Sequence, residues 1–190
     1  MRHLRKLAPL VLVATLAAAL LSACGSGSGS SSSPSVAASD RLEVRPVYAR
    51  YARGVALGPQ IPKDLVDEMS GTQCPTDPRV VGGKLLMCDP GKTVFLMDAP
   101  IISGGVEKAT ATHIGNQKLW YVKVDLTPDA QKTLTDASKS LDGHEIAYIF
   151  NGEVLTSIIV DSSYDPTHIV ILGDYNEAQA KKLADDINAA

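Results

Sequence analysis

Hydrophobic and polar positions follow a regular order in the second half of the chain. Short runs rich in β-branched and aromatic residues indicate β-strands there, and the second run alternates apolar with polar positions, as a half-buried strand does. The four runs span residues 93–98, 119–126, 144–160 and 168–175. Between the first two, residues 101–114 contain a Gly104–Gly105 turn and no clear period, which predicts a helical or irregular link.

The third run, 144–160, is divided by the dipeptide Asn151-Gly152. Both residues accept positive φ, so the pair predicts the two-residue turn of a β-hairpin. The register expected from that turn places Ile149 opposite Val154 and Tyr148 opposite Leu155, on opposite faces of the sheet.

Two segments have the period of amphipathic helices. The segment 127–143 opens with Thr127 as an N-cap and Pro128 at the first helical position. The segment 176–190 opens with the capping-box pair Asn176 and Gln179. Their apolar faces consist of Ala130, Leu134, Ala137 and Leu141 in the first helix and of Ala180, Leu183, Ala184 and Ile187 in the second. This order of elements predicts an α+β fold, an antiparallel sheet of about four to five strands with two main helices packed on one face.

The amino terminus has the layout of a secretory signal peptide. Three basic residues precede an apolar stretch from 7 to 21, which is short for a membrane span of about 20 apolar residues. The stretch ends in "LSAC" at 21–24, which resembles the lipobox of bacterial lipoproteins. The resemblance implies transfer of diacylglycerol to the sulfur of Cys24 and cleavage before it, so residues 1–23 are expected to be the signal peptide. The alternative is an ordinary signal peptide cut near Ala23, with a coincidental cysteine.

Residues 24–40 comprise this cysteine and a segment rich in glycine and serine. Such a segment has little to bury and much backbone entropy to lose, which predicts a flexible tether with a root-mean-square reach of about 20 Å. Membrane lipid, held through acylated Cys24, is therefore an expected partner. The expected location is the extracytoplasmic face of the cell membrane.

Charge limits the classes of function. The 190 residues include 18 Lys and Arg against 21 Asp and Glu, a formal net charge of −3. Three of the basic residues lie in the expected signal peptide, and without them 15 basic residues remain against 21 acidic ones, a net charge of −6. An acidic domain argues against nucleic acid as a partner, because neutralising phosphates requires clustered Lys and Arg.

Two further cysteines, Cys74 and Cys88, lie in a domain expected outside the cytoplasm, where an even pair favours a disulfide. Closing a loop of that length would stabilise the fold by about 3 kcal/mol in the chain-entropy model. A metal site is the rival interpretation, but the sequence has no C-x-x-C and its later histidines have no companions at ligand spacing. We therefore expect an N-terminal strand and a disulfide loop in residues 41–92, and the rest of the domain core in 93–190.

The succession of segments in residues 41–190 resembles the head of the first periplasmic domain (P1) of SecD and SecDF, membrane proteins that assist Sec-dependent export. The segments that carry the resemblance are "LEVRPV" (42–47), "APIISGGVEKATA" (99–111), "WYVKVDLTPDAQKTLTDAS" (120–138), "GHEIAYIFNGEVLTSIIVD" (143–161) and "ILGDYNEAQAKKLADDI" (171–187). The resemblance implies the α+β fold of the P1 head, with a strand, a glycine turn and an Ala-rich helix over 99–111. It also implies Sec translocon components or exported polypeptides as partners. Because no segment after residue 24 is apolar enough to span a bilayer, we expect only the exported head module on a lipid tether and not the proton-driven motor.

No residues have the spacing of a catalytic or cofactor site. His113, His144 and His168 lie in separate segments, without the spacing of a nucleophile's partner or a metal ligand. Ser103 precedes a glycine pair but lacks the Walker spacing and lysine, and "DSSYD" at 161–165 lacks the glycine and glutamate of a calcium loop. We therefore expect no enzyme activity, no metal and no cofactor.

An arginine-rich segment follows the tether. Arg41, Arg45, Arg50 and Arg53 are interspersed with Tyr48 and Tyr51. Such a group could bind anionic lipid headgroups, at about 1 kcal/mol per basic residue. The alternative is that alternate positions of an edge strand face water.

The expected function is a non-catalytic binding or accessory module in Sec-dependent export, whose sheet accepts an extended segment as an added strand. A second hypothesis is an envelope protein that reuses the fold to bind a small molecule or a cell-surface component. That protein would contain a dry pocket, whereas an enzyme would cluster titratable groups in a cleft.

Overall fold

The computed structural model describes residues 40–115 and 119–190 of the chain. The strands in these ranges are β1 (Glu43–Ala52), β2 (Val55–Leu57), β3 (Arg79–Val81), β4 (Lys84–Cys88), β5 (Val94–Met97), β6 (Ile102–Ser103), β7 (Val106–His113), β8 (Trp120–Leu126), β9 (Glu145–Phe150), β10 (Glu153–Ile159) and β11 (His168–Tyr175). The helices are α1 (Lys63–Gly71), α2 (Pro128–Ser138) and α3 (Glu177–Ala189). None of the helices in the described ranges is long and apolar enough to cross a membrane.

The strands form two antiparallel sheets, which confirms the α+β class. The larger sheet has the order β10-β9-β1-β5-β4-β3, with β2 and β6 also paired to β1, and the smaller one has the order β11-β8-β7. The single sheet of about four to five strands expected from the sequence is therefore divided into two. The larger sheet is continuous because residues 43–46 of β1 pair with β9, whereas residues 47–51 pair with β5.

The link predicted as helical or irregular, and its implied Ala-rich helix, are wrong. Residues 106–113 are strand β7, which pairs with β8 along its length. Ala109 is buried in this strand while Lys108 and Thr110 on either side are exposed. The strand period is therefore present, but small alanines occupy its inward positions and give little contrast in hydrophobicity.

Residues 41–92 contain more regular structure than the expected strand and disulfide loop. Helix α1 buries Leu65 and Met69, which are four positions apart and lie on one helical face. The expected disulfide is present between Cys74 and Cys88, with a Cα–Cα distance of 5.9 Å. It lies beside a small hydrophobic cluster that α1 shares with β4 and β5.

Strand β9 is buried on both faces. Ile146, Tyr148 and Phe150 face the main core, which also contains residues of the smaller sheet and of α2 and α3. Ala147 and Ile149 face a second cluster formed with β4 and β5. Burial on both sides explains why this strand is a continuous apolar run and does not alternate.

The hairpin turn and one of its two expected pairs are confirmed. Asn151 and Gly152 both have positive φ, of 50° and 74°, and Ile149 lies opposite Val154. The expected pair of Tyr148 with Leu155 is wrong, because the register shifts after Val154 and Thr156 lies opposite Tyr148. Such an irregularity bends a strand and leaves one residue outside the ladder.

The helix starts also follow the sequence. The reciprocal hydrogen bonds of Asn176 and Gln179 both measure 3.0 Å, which confirms the capping box. Thr127 and Pro128 occupy the N-cap and first positions of α2, although the Thr127 side chain makes no capping hydrogen bond. The buried residues of α2 and α3 are Ala130, Leu134, Ala180, Ala184 and Ile187, all on the predicted apolar faces.

Two glycines with nearly the same positive φ provide a test of packing in the main core. Gly105 and Gly143 have φ of +72° and +74°, so an alanine is strained at either position. A Cβ at Gly105 would lie 2.6 Å from Ala130 Cβ, whereas a Cβ at Gly143 would have nothing within 4 Å. We expect Gly105→Ala to lower the free energy of unfolding by about 1–3 kcal/mol more than Gly143→Ala does. Urea unfolding followed by circular dichroism measures the difference, and equal losses would contradict this packing.

Candidate functional site

The most distinctive surface feature lies between β10 and β11. Each is an edge strand in the described structure, since β10 pairs only with β9 and β11 pairs only with β8. The two strands lie close together without a hydrogen-bond ladder between them. We call residues 153–159 and 168–175, with the two cavities described below, the seam.

The first cavity, of about 470 Å³, lies beside the carboxyl-terminal half of β10. Apolar side chains of both strands line it, including Ile158, Val170 and Leu172, and Tyr148 of β9 contributes to it. Ile159, the last residue of β10, and Leu172, within the irregular part of β11, have 61% and 52% of their surface exposed, which is a high exposure for large apolar residues. This part of the seam can therefore accept apolar groups.

The second cavity, of about 400 Å³, follows along the same two strands. Residues 154–157 and 173–175 line it, together with Phe95 and the turn 89–91. Cavities therefore accompany nearly the whole length of both strands. A ligand that used both would be extended and would run along the strands.

Two phenols lie at the first cavity. Tyr148 is 1% exposed, and burial raises the pKa of its phenol above the ordinary range. Burial also raises the pKa of Tyr164. Its buried Oη interacts with the Tyr148 phenol and makes no hydrogen bond of normal geometry within residues 40–115 and 119–190. Both phenols are therefore neutral at physiological pH and suited to hydrogen bonding, not to proton abstraction.

The loop 161–167 forms the rim of this cavity with two side-chain turns. Asp161 Oδ1 accepts hydrogen bonds from the backbone N and the Oγ of Ser163, at 2.8 and 2.6 Å. Asp165 Oδ1 accepts from the backbone N and the Oγ1 of Thr167, at 2.9 and 2.6 Å. These hydrogen bonds hold the pKa of both carboxyls below the ordinary value of 3.8. Two ordered negative charges therefore border the cavity.

The remaining lining residues add to this charge. Asp89 and Asp174 line the second cavity, as Asp161 and Asp165 line the first. No Lys or Arg lines either cavity. The first cavity is lined by one histidine, His168. Its Nδ1 lies 3.4 Å from Asp165 Oδ2. The seam is thus an apolar site bordered by carboxylates.

The arginine-rich segment lies on β1 and the turn after it. Arg45 Nε pairs with Glu43 at 2.7 Å, and its Nη1 donates to the carbonyl of Asp98 at 2.9 Å. Arg50 pairs with Glu145 at 3.3 Å. Arg41 and Arg53 are exposed at the two ends of the strand. The charges of Arg45 and Arg50 are therefore offset by carboxylates within the fold. Binding of this segment to lipid stays a hypothesis.

The other predicted residues lie apart from the seam or outside the described ranges. Cys24 belongs to residues 1–39, which the structure does not describe. His113 packs edge-on against Trp120, with ring centroids 5.2 Å apart, and His144 precedes β9. Within the described ranges, no three His, Cys, Asp or Glu side chains form a group that could hold a metal ion.

Sequence reasoning did not identify the seam. The local signal is the presence of Ile159 and Leu172 in two predicted strands, and such apolar residues normally indicate core. The site depends on which strand edges remain unpaired, and that is a property of the sheet order.

Comparisons with known proteins agree with the fold. The family model of the SecDF P1 head subdomain matches residues 80–190. No curated protein matches the chain. A crystal structure of SecDF in the super-membrane-facing form has a TM-score of 0.54 at 18% identity, covering 81% of this chain and 19% of that one. A structure of SecDF described as a membrane component that enhances protein export has a TM-score of 0.51 at 17% identity, covering 81% of this chain and 64% of that one.

The chain thus spans less than two thirds of either solved structure. At these identities the similarity shows a shared fold. It confirms the expected resemblance to the P1 head.

The side-chain turns of the loop 161–167 predict a pH dependence. Because the folded pKa of Asp161 and Asp165 is lowered below 3.8, their contribution to stability is present above that pH and is lost as the pH falls through the lowered values. NMR titration of the carboxyl carbons should give midpoints below 3.8 for both residues. In Asp161→Asn, whose amide oxygen still accepts from Ser163, the Ser163 amide signal should lose its acid transition. Midpoints at or above 3.8 would contradict these turns.

Proposed function

Because the chain belongs to the SecDF P1 head subdomain family, we propose that it is a lipid-anchored extracytoplasmic protein whose domain binds extended polypeptide and assists Sec-dependent export without catalysing a reaction. A fold by itself does not determine function. The proposal therefore depends on the seam as well as on the family.

The observation that carries the proposal is the pair of neighbouring edge strands. A strand edge presents unpaired N–H and C=O groups, which an extended segment can satisfy as an added strand. Main-chain hydrogen bonds of this kind give affinity without requiring one sequence. That property suits a protein that must bind many different exported chains.

The anchor follows from the amino-terminal sequence. A lipobox-like ending at Cys24, after a positive start and an apolar stretch, supports acylation of that cysteine. Two or more acyl chains hold a protein stably on a membrane, and the Gly/Ser-rich residues up to 40 would keep the domain close to the surface. Such a position would bring the seam near polypeptides that emerge from the membrane.

A specific observation also favours the alternative, an envelope protein that binds a small molecule. The first cavity combines apolar walls with the buried Oη of Tyr164, which lies beside the Tyr148 phenol. Pockets for small molecules have this composition, a mostly apolar lining and a few polar groups that orient the ligand. The two functions differ in how much of the seam they use, since a small molecule would occupy one cavity.

Crosslinking in the membrane tests the binding of exported chains. We expect a photoreactive residue at Leu172, which is 52% exposed in the seam, to capture Sec translocon components and many exported precursors. The matched control is the same residue at Leu119, which is 38% exposed, precedes the central strand β8 of the smaller sheet and lies outside both seam cavities. Mass spectrometry identifies the captured proteins.

Equal capture from the two positions, or capture of one protein unrelated to export, would count against the export function. A captured small molecule, with no polypeptide, would support the alternative.

Metabolic labelling with a fatty-acid analogue tests the anchor. The wild-type protein should carry the label and Cys24→Ala should not, because its acceptor sulfur is absent. The double variant Cys74→Ala/Cys88→Ala is the control and should keep the label, since those two sulfurs form the disulfide. A label that persists in Cys24→Ala, or a mature chain that begins at a residue other than 24, would refute lipidation at this position.

A further inference from the structure

We propose that the seam selects extended segments in which apolar residues alternate with lysine or arginine, and that it rejects acidic segments. This inference rests on the proposed function, because it specifies which polypeptides the same site would bind. Three features of the seam lead to it.

The first feature is its length. Strand β10 has seven residues and β11 has eight, so a segment of about seven residues would span about 23 Å along either strand at 3.3 Å per residue. Side chains of an added strand alternate between its two faces. Every second residue would therefore meet the same side of the seam.

The second feature is the exposed apolar surface. Ile159 and Leu172 are the most exposed large apolar residues of the two strands, and Ile158 and Val170 line the same cavity. Residues of one face of the bound segment can cover them. A segment without apolar residues would leave this surface in contact with water.

The third feature is uncompensated negative charge. The lining residues Asp89, Asp161, Asp165 and Asp174 have no salt bridge to Lys or Arg within the described ranges. Carboxylates elsewhere commonly have one, as Glu68 does with Arg79 at 2.9 Å. Lys123, which acts on Asp165 at longer range, is held by Asp125 at 2.8 Å. Lys92 is the basic residue nearest to Asp89 along the chain, but it does not line the second cavity.

This charge gives the seam a sign preference. A cationic segment would offset the four carboxylates, whereas an acidic segment would bring like charges together. The same charges would limit pairing of the two edges with strands of other copies of this acidic protein, which is a common role of charge at sheet edges. Selection by charge and protection of the edges are therefore compatible.

Peptide binding to the full lipoprotein in nanodiscs of neutral lipid tests the inference. The probes are three fluorescent peptides of about nine residues that alternate valine with lysine, with glutamine or with glutamate. Fluorescence anisotropy should give an affinity about tenfold higher for the lysine peptide than for the glutamine peptide, and little binding of the glutamate peptide. The preference should shrink when the salt concentration is raised from about 0.05 M to about 0.5 M. Empty nanodiscs are the blank.

The variants separate charge from fold. In Asp161→Asn/Asp165→Asn the amide oxygens still accept the hydrogen bonds of Ser163 and Thr167, so the loop keeps its acceptors and loses its charge. This variant should bind the lysine peptide about five- to tenfold more weakly and leave the glutamine peptide unchanged. The control Asp142→Asn/Asp185→Asn removes two exposed carboxylates outside both seam cavities and should leave all three affinities unchanged. Leu172→Ser should weaken both the lysine and the glutamine peptide.

Equal affinities for the three peptides, together with an effect of Leu172→Ser, would overturn the charge selection and leave the proposed binding of polypeptides intact. Loss of lysine-peptide binding in the control variant as well would also overturn it, because general charge would then explain the preference. If no peptide binds and crosslinking from Leu172 captures no exported precursor, the proposed function itself fails.

Discussion

The architecture depends on the pairing of a single ten-residue strand, β1. Its first residues pair with β9 and place Val44 in the main core, and its later residues pair with β5 and place Ala49 against the cluster of α1. Within the part that pairs with β5, the register shifts between Val47 and Ala49. Because a shift of one residue exchanges the faces of a strand, β1 can contribute apolar residues to different clusters along its length.

This arrangement determines which strand edges are covered. At the edge of the smaller sheet, Asn188 of α3 makes two hydrogen bonds to the backbone of Ala109 in β7, at 2.7 and 2.9 Å. The amide thus occupies the place of a neighbouring strand at that point. Strands β10 and β11 each leave one edge without a ladder partner within the described ranges. Aspartates border these strands and their registers are irregular, and charge and irregularity are other devices that proteins use at edges.

The candidate function follows from this difference between covered and open edges. An open edge offers main-chain hydrogen bonds to any extended segment, and the side chains around it decide which segments gain most from pairing. In the seam, apolar residues from the two sheets lie next to carboxylates without cationic partners. The proposed function, a binding module, therefore rests on these open edges and on the residues around them.

The sequence by itself determined the features that depend on neighbouring residues. The Asn151-Gly152 turn, the capping box of Asn176 and the helical faces follow from local backbone preferences and from periods of a few residues. The pairing of the two later cysteines and the resemblance to the P1 head could also be inferred. Strand β7 was missed because alanines at its inward positions hide the period.

Only the tertiary structure decided how these elements combine. The division into two sheets is one such feature. The pairing of Arg50 with Glu145 joins residues 95 positions apart, and the contact of Asn188 with Ala109 of β7 joins residues 79 positions apart. Local patterns carry no information about such pairs, because any strand of suitable hydrophobicity can pair with several others. The seam lies where β10 and β11 each leave one edge unpaired in the described part of the chain, so it depends on how all the other strands pair.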